Sequence, residues 1–169
     1  MTERPDDQAF LGIIRHTPLV SIDLIIQNRE GQVLLGLRRN RPARGFWFVP
    51  GGRIRKNETL AQAQRRISRV ETGAELSGGR LIGAFEHIYD DNTFEVANVG
   101  THYVTLGVLL QWPAQQPLNG DEQHQDFRWA SIPELLDDPQ VHPNTQRFFQ
   151  ADTPSDFLGP AAFSFGNSR

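Results

Sequence analysis

The chain has 169 residues, a formal net charge of −3 at pH 7 and no cysteine. This length is typical of one domain with a substantial core, and the absence of cysteine excludes disulfides, thiolate nucleophiles and Cys-ligated metals. The weakly acidic composition lacks the positive field of a nucleic-acid-binding protein, and no apolar stretch is long enough to span a bilayer. We therefore expect a cytoplasmic protein with neither nucleic acid nor membrane as partner, folded as one domain over residues 1–152 with a loose tail over 153–169.

Strand and helix patterns alternate along the chain and predict an α+β fold, with helices packed on a mainly β core. A turn signal separates the second and third predicted elements, and glycine or proline bounds several others. The predicted elements are, in chain order, a helix or strand over 6–16, strands over 19–26 and 33–37, a helix over 59–73, strands over 79–89, 101–110 and 125–129, and helices from 131 and over 142–150.

Two stretches in the first third of the chain place charged side chains next to apolar segments. Asp23 lies inside the first strand, where a carboxylate either faces solvent or is paired at a cleft. The loop 38–44 carries four arginines and either forms a solvated surface or overhangs a site, because guanidinium groups bind diphosphate oxygens bidentately. We interpret the aromatic run at 46–48 as part of the core.

The segment from Gly51 to Leu76 combines a glycine turn with the clearest helix signals in the chain. Thr59 and Gln62 form a capping box, and Gly73 provides a left-handed stop. At 100° per residue, Glu71 falls at one edge of the apolar face and Arg66 falls at the other edge. The face itself is predicted to contain Leu60, Ala63, Ile67 and Val70.

This segment resembles the Nudix box, which begins with glycine and carries glutamates at fixed spacings along its helix. Six positions match the box in register: Gly52, Glu58, Arg66, Glu71, Gly73 and Ala74. Ile67 and Val70 replace two of the three helix glutamates, and apolar groups cannot bind a hard cation. The resemblance implies a Nudix-like α/β/α sandwich with a mixed central sheet and one box helix.

Further segments are similar to one branch of that superfamily, the GDP-mannose mannosyl hydrolases, which lack the same two glutamates. The segments are HTPLVSIDLII, NRPARGFWFVPGGR, HIYDDN, THYVTLG and DEQHQDFRW. The resemblance implies hydrolysis of GDP-mannose, or of GDP-glucose, to GDP and free sugar. Water would attack C1 of the sugar with inversion, assisted by Mg2+ or Mn2+, in a homodimer.

The same resemblance implies roles for ten residues. His124 is the expected general base, and Asp23 is expected beside the sugar. Three residues are expected to stabilise the departing diphosphate: Arg53, Arg66 and Tyr103. Arg38 is expected near the nucleotide and His87 near the sugar. The expected metal ligands are Glu71, the carbonyl of Gly51 and the side chain of Gln123.

Several of these residues also have a purely structural interpretation. Arg66 could be the ion-pair partner of Glu58, which would then brace the turn rather than bind metal. His87 could be a hydrogen-bonded structural histidine, and we interpret His16 and His142 as structural.

Two other functions compete with the sugar hydrolase. An ordinary Nudix pyrophosphatase would cleave between the phosphates and release a nucleoside monophosphate and a sugar phosphate. A non-catalytic nucleotide-binding module would bind nucleotide without turnover.

Overall fold

A mixed sheet of seven strands forms the centre of the computed structural model, which describes residues 5–113, 118 and 124–150. For residues 124 and 125 the description is confined to the backbone, and Gln123 and the predicted tail over 153–169 lie outside the described residues. The elements are α1 Asp7–His16, β1 Leu19–Gln27, β2 Val33–Arg38, β3 Trp47–Phe48, β4 Gly51–Arg53, α2 Leu60–Thr72, β5 Arg80–Tyr89, β6 Thr101–Gln111, β7 His124–Ala130, α3 Ile132–Asp137 and α4 Pro143–Gln146.

Strand β1 lies at the centre of the sheet and determines its mixed character. It runs parallel to β6 along its whole length, whereas the other strand pairs are antiparallel. On its other edge β1 changes partner, because Ser21, Ile22 and Asp23 pair with β4 while Gln27 pairs with Val33 of β2. The glycine turn is therefore placed directly beside the start of β1.

Helices cover both faces of the sheet, as an α/β/α sandwich requires. Alternate residues of β1, including Ile22 and Leu24, pack with Ala63 and Ile67 of α2. Ile25 faces the other side, where it shares a core cluster with residues of α3 and of the segment before α4. The predicted α+β class, with a mixed sheet and one box helix, is confirmed.

Helix α2 begins and ends as predicted, but it buries a different face. Thr59 and Gln62 form the capping box, and Gly73 ends the helix in the left-handed conformation. The predicted face is wrong at Leu60 and Val70, which are 57% and 46% exposed. The buried residues of α2 are Ala63, Ile67, Ser68, Glu71 and Thr72.

Local hydrogen bonds explain why two hydroxyl residues replace Val70 on the buried face. The Ser68 hydroxyl accepts the backbone N–H of Leu76 at 2.9 Å, and the Thr72 hydroxyl donates to the carbonyl of Ser68 at 2.8 Å. Buried hydroxyls cost little when their hydrogen bonds are satisfied.

The first and last helices of the described residues test two further predictions. Residues Asp7–His16 form a helix, α1, with Asp6 as its N-cap. The helix predicted over 142–150 is wrong in its length, because α4 covers four residues and continues as a 3₁₀ turn over Arg147–Phe149.

The buried face of α2 can be tested by two truncations. Ile67→Ala should lower the free energy of unfolding by about 2–5 kcal/mol, because it leaves a cavity in the core. Val70→Ala should change it by about 0.5 kcal/mol or less, because Val70 is half exposed. Urea unfolding of both variants measures the difference, and equal losses would contradict the orientation of α2.

Candidate active site

A close approach of two backbones creates the centre of the site. Gly51 lies opposite Asp23 in the β1–β4 pairing, and the N–H of Leu24 donates to the carbonyl of Pro50 at 2.8 Å. A Cβ at Gly51 would lie 2.5 Å from Oδ1 of Asp23 and 2.9 Å from the carbonyl oxygen of Ile22. Only glycine allows β4 to lie this close to β1.

An ion pair braces the turn between β4 and α2. Nε of Arg66 lies 2.6 Å from Oε1 of Glu58, and Nη2 of Arg66 donates to Oε2 of Glu58 at 2.8 Å and to the carbonyl of Arg53 at 2.9 Å. The Arg66 hydrogen bond is the main reason that the pKa of Glu58 is lowered. This geometry supports the bracing interpretation of Glu58. The role of Arg66 toward a diphosphate stays a prediction.

A cleft next to β4, which we call the Asp23 cleft, brings together most of the predicted site residues. Asp23, Arg38, Arg53, His87 and Tyr103 all line it although they come from five different strands. Its other lining residues are Ser21, Pro42, Phe48, Val49, Gly51, Gly52 and Tyr89.

Asp23 is buried rather than facing solvent, so the solvent-facing interpretation of this residue is wrong. It is 6% exposed, and its Oδ2 accepts no hydrogen bond from the part of the chain that the structure describes. Burial raises the pKa of Asp23 to about 7, against the opposing effect of the Arg38 charge. The carboxyl group can therefore take up or release a proton near neutral pH.

His87 is also buried, and it ends a short hydrogen-bonded chain. Its Nδ1 lies 3.3 Å from the Thr105 hydroxyl, which in turn lies 2.8 Å from the Ser21 hydroxyl. The same nitrogen is 3.8 Å from Oδ2 of Asp23. Burial lowers the pKa of His87 to about 3, assisted by the positive charges of His142, Arg147 and Arg38. The imidazole is therefore neutral at pH 7.

Aromatic side chains line the Asp23 cleft at Phe48, His87 and Tyr89, and His142 packs against Phe48. The Phe48 ring lies 5.9 Å from the His87 ring and 5.1 Å from the His142 ring. Nδ2 of Asn144 donates to the Tyr89 hydroxyl at 3.2 Å, and Nδ1 of His142 accepts the backbone N–H of Asn144. Tyr89 was not predicted as a site residue. The sequence signals for it were its place near His87 at the end of a strand and its place within the segment HIYDDN.

A second cleft, which we call the box cleft, lies against α2. It is lined by Pro5, Asp7, Phe10, Gly52, Arg53, Arg55, Arg66, Ile67, Val70 and Glu71. Gly52 and Arg53 line both clefts, so the two meet at β4. Glu71 is 3% exposed and brings the carboxylate of the box helix to this side.

The available donor atoms suit a hard cation that is completed by a substrate. The Glu71 carboxylate and the Gly51 carbonyl offer oxygen, which Mg2+ prefers, and the third predicted ligand lies outside the described residues. Residues 5–113, 118 and 126–150 contain no group of three His, Asp or Glu side chains that could hold a metal. Mg2+ is commonly bound through one or two carboxylates together with substrate phosphates, and this donor set fits that mode.

The predicted base lies on a strand next to the Asp23 cleft. The backbone of His124 pairs with Arg38, whose side chain lines that cleft. The chemical role of His124 stays a prediction.

Comparison with known proteins identifies the family. The NUDIX domain family model matches residues 17–151. The chain belongs to the Nudix family. It is 38% identical over 150 residues to the low-salt glycan biosynthesis protein Agl8 of Haloferax volcanii, covering 89% of this chain and 91% of that protein.

Two further comparisons give a local sequence match and the fold. An ADP-ribose pyrophosphatase of Methanocaldococcus jannaschii is 34% identical over 68 residues, which are 40% of each chain. The MutT NUDIX hydrolase structure from Burkholderia pseudomallei superposes with a TM-score of 0.66 and 24% identity, covering 79% of this chain and 96% of that one.

These findings support a Nudix hydrolase that acts on a nucleoside diphosphate derivative, a class of enzyme that generally uses divalent metal ions. In the described part of this Nudix hydrolase, no helix is long and apolar enough to cross a membrane.

The low pKa of His87 predicts a contribution to the pH dependence of stability. In the unfolded chain His87 binds a proton below about pH 6.5, whereas in the folded chain it binds one only near pH 3. The contribution of His87 to stability should therefore be lost as the pH decreases from 6.5 toward 3, while the raised pKa of Asp23 acts in the opposite direction. When the pH is lowered from 7 to 4, the change in unfolding free energy should be more favourable in His87→Gln than in wild type by up to about 3 kcal/mol.

Denaturant unfolding at the two pH values measures this difference. The matched control is His16→Gln, which removes a histidine that is exposed in the folded chain. The same pH dependence in His87→Gln and wild type would contradict a neutral, buried His87.

Proposed function

We propose that this Nudix hydrolase converts GDP-mannose, or the related GDP-glucose, to GDP and free sugar by attack of water at C1 with inversion. The observation that carries the proposal is the composition of the site. The box helix keeps Glu71 but has buried Ile67 and exposed Val70 in place of two glutamates, while a cleft on the other side of β4 contains the buried pair Asp23 and His87.

The reduced number of carboxylates suits cleavage of the carbon–oxygen bond. GDP leaves readily when the charge on its diphosphate is neutralised, so no strong general acid is required. The carbonyl of Gly51 and the side chains of Glu71 and Gln123 would hold Mg2+. When bound, the ion would supply charge neutralisation at the diphosphate.

The cationic residues would bind the leaving group where the two clefts meet. Arg53 lines both clefts, and it can donate to diphosphate oxygens that span β4. Tyr103 would add a hydroxyl donor, because burial raises its pKa and keeps the phenol protonated. Arg38 would lie toward the nucleotide. Arg66 would stabilise the diphosphate through its own charge, and its hydrogen bond to the Arg53 carbonyl would hold the backbone of Arg53 in position.

The sugar would lie in the Asp23 cleft. Asp23 and the neutral His87 can exchange hydrogen bonds with sugar hydroxyls without placing a full charge beside the ring. His124 would remove a proton from the attacking water, since an ordinary imidazole has a pKa of about 6.5 and can accept a proton at neutral pH. Inversion requires this base on the face of the ring opposite the leaving diphosphate.

The comparisons support a sugar-containing substrate, and they also name a competing reaction. The Agl8 relative is named for glycan biosynthesis, which is consistent with a sugar-containing substrate, and the match extends over most of both chains. The ADP-ribose pyrophosphatase match supports the alternative in which a pyrophosphate bond is cleaved, but it covers 40% of the chain.

The position of the broken bond can be measured with labelled water. After incubation with GDP-mannose and Mg2+ in 18O-water, mass spectrometry should find the label in mannose, because water attacks carbon. A parallel reaction with EDTA should be at least about 100-fold slower, since the diphosphate charge is then not neutralised. Label in a phosphate, with GMP and mannose phosphate as products, would show that the pyrophosphatase alternative is correct.

The proposed base can be tested by an isosteric change. His124→Gln should lower kcat for GDP-mannose by about 10²–10⁴-fold, because the glutamine amide cannot accept the proton from water. The affinity for GDP, measured by isothermal titration calorimetry, should stay within about twofold of wild type. His16→Gln is the control for loss of an exposed histidine. A near-wild-type kcat in His124→Gln would remove His124 from this role.

A further inference from the structure

Helix α1 packs against the rest of the domain beside the box cleft. Ile14 of α1 lies in a core cluster with Leu19 and Val99, and Phe10 and Tyr103 pack against that cluster. Phe10 also lines the box cleft. The N-terminal helix therefore supplies two residues, Asp7 and Phe10, to the wall of the cleft in which Glu71 lies.

The clearest contact of α1 with the site is the one between Phe10 and Arg53. The guanidinium carbon of Arg53 lies 4.5 Å from the centroid of the Phe10 ring, over its face. A guanidinium within about 6 Å of a ring centroid is attracted by the negative face of the ring. The Phe94 ring meets Phe10 edge-on, with centroids 5.9 Å apart and an interplanar angle of 78°.

The position of Arg53 is fixed separately at its backbone. Arg53 pairs with Ser21 across β1 and β4, and its carbonyl accepts a hydrogen bond from Arg66. These contacts hold the backbone of Arg53, whereas the Phe10 ring contacts its side chain and restricts the direction of the guanidinium group. On the side of the Asp23 cleft, burial raises the pKa of Tyr103, and the charges of Arg38 and Arg53 oppose that rise.

We propose that Phe10 is a positioning residue that holds the Arg53 guanidinium at the junction of the two clefts, so that α1 is part of the diphosphate-binding site. The proposal rests on the proposed function in one respect, the contact of Arg53 with the diphosphate. Orienting the guanidinium before substrate binds reduces the side-chain entropy lost in the complex. The ring therefore acts on affinity through Arg53 without contacting the substrate itself.

A double-mutant cycle on GDP affinity tests this coupling. Isothermal titration calorimetry with Mg2+ is applied to wild type, Phe10→Leu, Arg53→Ala and the double variant. Phe10→Leu keeps an apolar side chain but removes the ring face, and it should weaken GDP binding about fivefold. In the Arg53→Ala background the same change should have less than about a twofold effect, because coupled residues are not additive. Phe10→Trp should stay within about twofold of wild type.

Phe94→Leu is the matched control. Phe94 forms an aromatic pair with Phe10, but in the described part of the chain the ring that Arg53 lies over is that of Phe10. It should leave GDP affinity within about twofold of its parent in both backgrounds. A fivefold loss from Phe10→Leu in both backgrounds, or no binding of GDP by wild type, would overturn the proposal. GDP affinity does not depend on which bond the enzyme breaks. The coupling between Phe10 and Arg53 could therefore be found even if the label experiment showed attack at phosphorus.

Discussion

The pairing of the glycine turn with β1 is the interaction on which the rest of the site depends. A side chain at Gly51 would collide with Asp23 and with the backbone of Ile22, so the two strands can meet only without one. The same pairing places Gly51 against Asp23, while Gly52 of β4 approaches Ile67 of α2. The Glu58–Arg66 ion pair then fixes the turn, and two clefts meet at Arg53.

Two kinds of group meet in this site. Desolvation pushes both Asp23 and His87 toward their neutral forms, since it raises the pKa of the acid and lowers the pKa of the base. Guanidinium groups lie in both clefts, because Arg38 lines the Asp23 cleft, Arg66 lines the box cleft and Arg53 lines both. The proposed substrate matches this arrangement, since its sugar would meet the neutral groups and its diphosphate would meet the guanidinium groups.

Local signals in the sequence were sufficient for the ends of α2 and the start of α3, but not for the length of α4 or for the burial of individual residues. The capping boxes at Thr59 and Ser131 were predictable because each depends on residues three apart. The exposure of Val70 was not predictable, since the buried hydroxyls that replace it are satisfied by hydrogen bonds of the folded chain. The burial of Asp23 depends on which strand pairs with β1, and the role of Tyr89 in the cleft wall depends on Asn144, which lies 55 residues away.

Ile67 occupies the position of a box glutamate, and its side chain packs against the glycine turn. Ile67 is 1% exposed within the core cluster of α2, and a Cβ at Gly52 would lie 3.3 Å from its side chain. A glutamate there would bury a charge against apolar neighbours, which is costly without a paired cation. A glutamate at position 67 would therefore need a cation in the box cleft, which Ile67 also lines. The proposed Mg2+ would take more of its oxygen ligands from the substrate, and this suits the proposed reaction, in which the diphosphate is the leaving group.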